Sequence, residues 1–91
     1  MNDLLCNLTL EKFNLKYYKL KNENKFGVKI MKEENAYSES VEVNGITEDE
    51  EEIKIFIDKL IKGSVTPVTL GYIVEDYIIE KVRRNLKVKE Y

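Results

Sequence analysis

SVTPVTLGYIVEDYI, residues 64–78, opens a helix and then gives that helix apolar side chains on two sides. Thr66 reads as the N-cap and Pro67 as the first helical residue, where a missing N–H costs nothing. Val65, just before the cap, can staple onto Leu70. The helix is expected to run to about Arg84. Advancing 100° per residue places Leu70, Ile73, Val74 and Tyr77 on one face, with Ile78 at its margin. Val68, Tyr72, Ile79 and Val82 fall on another face, nearly opposite. A helix lying on a sheet beside one neighbouring helix needs apolar residues over roughly a right angle, not on both sides. The second stripe therefore points to a partner chain. The plainer alternative is a wide core face with scattered exposed apolar residues, which monomers also carry.

Upstream of this stretch the spacing predicts another helix. Thr47 as N-cap and Glu50 three residues on form a capping box, and the acidic run 48–52 suits the positive end of the helix dipole. Ile53, Phe56, Ile57, Leu60 and Ile61 then recur at helical spacing, and Gly63 is expected to end the helix at C′. Ile55 points away from that stripe and joins the candidate interface residues.

Before residue 47 the period is two. Phe13, Leu15 and Tyr17 share one parity in KFNLKYY; Phe26, Val28 and Ile30 share one in KFGVKIM; Val41 and Val43 pair off in SVEVN. Polar links of hairpin length join them, and Asn44-Gly45 reads as a turn. Leu20 has the wrong parity, so the first strand is expected to bulge or to stop near Tyr18. The sequence thus reads as one α+β domain over 1–91. A three-stranded antiparallel meander occupies 12–44 and a two-helix hairpin 47–84, stacked in two layers, with a basic tail at 85–91.

Three of these segments carry a resemblance. Phe26-Gly27-Val28, Val65-Thr66-Pro67 and Val74-Glu75-Asp76-Tyr77 are similar to motifs of a family of small uncharacterised proteins from clostridial and related Gram-positive bacteria. The likeness covers about Phe26 to Ile78. It implies a bacterial cytoplasmic setting and this general fold, and it brings no catalytic residues.

Composition removes several function classes. The chain has 91 residues, 35% of them charged, and a net charge of −2, which gives no overall pull toward nucleic acid. With no histidine, the usual general base and metal ligand near neutral pH is missing. Cys6 is single and reads as a small half-buried hydrophobe. No apolar run is long enough to cross a membrane, and nothing resembles a secretory leader, so a cytoplasmic location is expected. The acidic run lacks the ligand spacing of a calcium loop. No cofactor, metal or catalytic residue is expected.

Two binding readings remain. The first is a non-enzymatic protein-interaction module, a homodimer or the small partner of a regulator, using Val68, Tyr72, Ile79, Val82 and Ile55. The second is a nucleic-acid platform on the sheet's open face, where Lys12, Lys16, Lys25 and Lys29 surround Tyr18 and the basic tail adds charge. Against the second, Glu11, Glu23 and Glu42 lie close by in the sequence, and a solvated face explains the lysines.

Overall fold

The computed structural model describes the backbone of residues 2–89 and the side chains of residues 2–83. Four strands and two helices follow in order: β1 (Asn2–Thr9), β2 (Asn14–Asn22), β3 (Lys25–Glu34), β4 (Tyr37–Thr47), α1 (Glu50–Lys62) and α2 (Pro67–Lys89). The strands form one antiparallel sheet in the order β1-β2-β3-β4. The meander therefore has four strands, not three, because residues 2–9 add a strand to the outer edge of β2. A register shift between Leu4 and Cys6 hides this strand from the alternation pattern. Leu4 aligns with Tyr18 on one face and Cys6 with Tyr17 on the other, so the bulge at Leu5 breaks the period of two.

The other strand limits also move. β2 neither bulges nor stops at Tyr18; it runs to Asn22, and Leu20 is buried on the face opposite Leu15 and Tyr17. Asn44-Gly45 is not a chain-reversing turn but an irregularity inside β4, where Phe26 aligns with Thr47 and Val28 with Val43. Gly45 takes φ +66° there, and Ile46 is buried beyond it. Gly27 faces this kink. A Cβ on Gly27 would lie 2.8 Å from the Asn44 Cα and closer still to the Val43 carbonyl, so only glycine fits.

One core fills the space between the sheet and the helices. Leu15, Tyr17, Val28 and Ile30 from the sheet meet Ile53, Phe56, Ile57 and Leu60 of α1, and Leu70 and Val74 of α2. α1 packs on β2, β3 and β4, and α2 on β3 and β4. Tyr17, fully buried, donates its hydroxyl to the Val65 carbonyl at 2.9 Å and so ties β2 to the link between the helices.

Both caps of α1 differ from expectation. Thr47 ends β4, and Asp49 is the N-cap: its Oδ1 accepts the amides of Glu51 at 2.9 Å and Glu52 at 3.3 Å. At the other end Gly63 is the C-cap with φ −90°, and the left-handed residue is Ser64 at φ 49°. The Val65 amide reaches the Leu60 carbonyl and the Ser64 amide the Ile61 carbonyl, each at 3.0 Å, the two bonds of a Schellman ending. α2 begins at Pro67 as the sequence predicts and continues past Arg84 to Lys89. Backbone helix thus continues through 85–89, where the sequence predicts a separate basic tail; residues 90–91, and the side chains of the whole tail, lie outside the described residues.

Candidate interaction surfaces

The two apolar sides of α2 separate as their spacing implies. Leu70 and Val74 are buried and Ile73 and Tyr77 half-buried, whereas Val68 is 72% exposed and Tyr72 73% exposed. Ile79 and Val82 continue this outward face, with Ile78 beside them. Ile55 does not belong to it. It stands on α1 at the lip of a cleft of about 750 Å³ between the two helices, which Ile73 and Tyr77 also line. Exposed Ile55 and the α2 stripe are thus two surfaces, not one.

The cleft exists because α1 and α2 each lean on the sheet more than on each other. Among the described residues, side chains bridge it around Glu52. The Phe56 and Tyr77 rings pack with centroids 4.6 Å apart, and Tyr77 donates its hydroxyl to Glu52. Glu52 also accepts the Thr47 hydroxyl at 2.7 Å and pairs with Lys81 Nζ at 3.0 Å. These partners, Tyr77 foremost, hold the Glu52 carboxyl down to about 2. Leu60 and Val65 complete the apolar floor, while Asp49, Glu51, Asp76 and Glu80 stand around the rim.

The acidic run is therefore divided among separate tasks. Asp49 caps α1, Glu52 bridges to α2, and Glu50 pairs with Lys19 of β2. Lys19 is buried, lies over the Phe26 ring at 5.6 Å and has Asp3 of β1 at 3.8 Å. Its bond to Glu50 holds that carboxyl below the usual range. Sequence reasoning passed over Lys19 and gave Glu52 only a place in the helix dipole, since partners 25 to 31 residues apart leave no local signal.

On the opposite sheet face the register brings Lys29 beside Tyr18, with Nζ 5.5 Å from the ring centre, and aligns Lys29 with Glu42. Lys16 pairs with Glu33 at 3.0 Å, which holds the lysine pKa up. Lys12 lies before β2 and Lys25 opens β3, at opposite ends of the sheet. The five residues of the nucleic-acid reading thus form no continuous cationic track, and two of the four lysines face a carboxylate. Cys6 is a free, half-buried thiol packed against the core. Among the described residues no helix is long and apolar enough to cross a membrane.

A family model described as a family of unknown function, DUF6514, matches residues 3–80, and the chain belongs to that family. The match begins within β1, so it takes in both β1 and β2, which lie outside the shorter motif resemblance. No curated protein matches the chain. No solved structure matches it.

Proposed function

We propose that this member of DUF6514 is a non-enzymatic, cytoplasmic protein-interaction module, a two-layer domain that pairs with a second copy of itself through the outward face of α2. The observation that carries the reading is the exposure of Tyr72 and Val68 on a helix whose other side already completes the core. Ile79 and Val82 extend this exposed face by nearly three further turns, with Glu75 set between Tyr72 and Ile79. Burying each large side chain in a partner is worth about 1.5–3 kcal/mol, and tyrosine is favoured at such contacts. The absence of histidine from the sequence supports a binding role over catalysis. Scattering-derived mass across a concentration series tests the proposal. Self-association that Tyr72→Ser weakens supports it; a single monomer mass at every concentration removes the homodimer.

A further inference from the structure

We infer that the cleft between α1 and α2 is a docking groove for a cationic amphipathic helix supplied by a different protein. This surface is separate from the α2 stripe, and the inference stands whether or not that stripe self-associates.

Three features of the cleft select this occupant. Its floor is apolar, formed by Phe56, Leu60, Val65, Ile73 and Tyr77, and exposed Ile55 forms its lip. Its length suits a helix: the α1 wall runs from Asp49 to Leu60, about 16 Å at ~1.5 Å per residue, or roughly three turns. Such an occupant presents apolar side chains at i, i+3, i+4 and i+7 to a floor of this kind. Its charge follows from the rim. Glu51, Asp76 and Glu80 border the cleft, and among the described residues none of the three has an ion-pair partner. Lys81 is held by Glu52, which leaves Lys59 at the far end as the one rim cation without an ion pair among the described residues. Lysines or arginines flanking the occupant's apolar stripe would therefore face carboxylates, and an acidic helix would be repelled. The stripe of a second copy is a poor fit, because it would bring Glu75 against the same carboxylates.

Two synthetic helical peptides test the inference, both with leucines at i, i+3, i+4 and i+7. One carries lysines and the other glutamates at its remaining positions. Fluorescence anisotropy at low salt on the full chain is expected to show the lysine peptide bound at least about tenfold more tightly. The pair Asp76→Lys and Glu80→Lys should abolish or reverse this preference. Glu48→Lys with Glu75→Lys changes the net charge equally, but outside the cleft, and should preserve it. Ile55→Ser should weaken binding of the lysine peptide, and Tyr72→Ser should not. Equal affinity for the two peptides, an equal loss from the outside pair, or indifference to Ile55→Ser would each overturn the groove. Should the Asp76/Glu80 pair fail to fold, Glu51→Gln and Ile55→Ser probe the same cleft from α1, and retention of full binding by both would have the same force.

Discussion

Tyr77 of α2 donates its hydroxyl to the carboxylate of Glu52 on α1, 25 residues away, and this contact spans the cleft between the helices. The same carboxylate takes the Thr47 hydroxyl and the Lys81 ammonium, so β4, α1 and α2 meet on one ionised group. Held at about 2 against an ordinary 4.5, Glu52 stabilises the fold fully above pH 4.5 and loses that contribution as pH falls toward 2. The carboxylate is 28% exposed, so solvent screening reduces the effect to on the order of 1–2 kcal/mol. Glu52→Gln is expected to lower stability by that amount at pH 7, with the gap to the wild type closing by about pH 2–3. Urea denaturation at several pH values measures it. A gap that stays constant down to pH 2 would rule out the carboxylate's charge as the source.

Gly27 and Gly71 should respond to alanine in opposite directions. A methyl at Gly27 meets the backbone of Val43 and Asn44, which cannot move without undoing the β4 kink. Gly27→Ala is expected to cost about 2–4 kcal/mol, in the range of severe overpacking. Gly71 lies inside α2 with open space around its would-be Cβ, so Gly71→Ala should add about 0.5–1 kcal/mol. Thermal melts of the two variants separate the cases, and a neutral Gly27→Ala would mean that β4 does not kink there.

Helical periodicity located the buried stripe of α1 and both sides of α2, because each side chain's exposure follows from its angle around one axis. β1 escaped because the bulge at Leu5 puts Leu4 and Cys6 on opposite faces, and the kink at Asn44-Gly45 resembles a turn when read locally. Thr47 and Asp49 both satisfy N-cap chemistry, and only the length of β4 decides between them. The cleft left no trace in the sequence, since it depends on how far apart the two helices settle on the sheet. Its parts were visible, in Ile55 and the acidic run, but not their meeting.

The end of α1 offers a paired test. Ser64 takes a left-handed backbone that glycine would adopt without strain, while Gly63 has φ −90° and only ordinary contacts, at 3.6 Å or more, around its would-be Cβ. Gly63→Ala should therefore stabilise by about 0.4–1 kcal/mol through the unfolded chain, and Ser64→Gly should be neutral or stabilising. Chemical denaturation of each variant checks this; destabilisation by Gly63→Ala would contradict the Schellman register.

Lys19 and Glu50 should behave asymmetrically. Lys19 is buried, while Glu50 is half exposed. Lys19→Met leaves a solvated carboxylate and an apolar side chain on Phe26, so stability should be unchanged or improved. Glu50→Gln leaves a buried ammonium with only the more distant Asp3, so it should be the more damaging change. The ranking of the two midpoints in urea is the readout, and the reverse order would show that Lys19 does not depend on Glu50.

Self-association through the α2 stripe is tested most directly by sedimentation equilibrium on Ile79→Asp, with circular dichroism on the same samples. Ile79 lies on the outward side of α2, and a carboxylate there rests in water in the monomer but would have to be desolvated in a pair. The expected result is a wild type whose mass rises with concentration toward twice the monomer, and an Ile79→Asp chain that stays monomeric with an unchanged helical spectrum. Leu70→Asp, placing the same charge in the core, should unfold the chain and so calibrate the spectrum. A wild type that remains monomeric throughout, or an Ile79→Asp chain as unfolded as Leu70→Asp, would contradict the proposal.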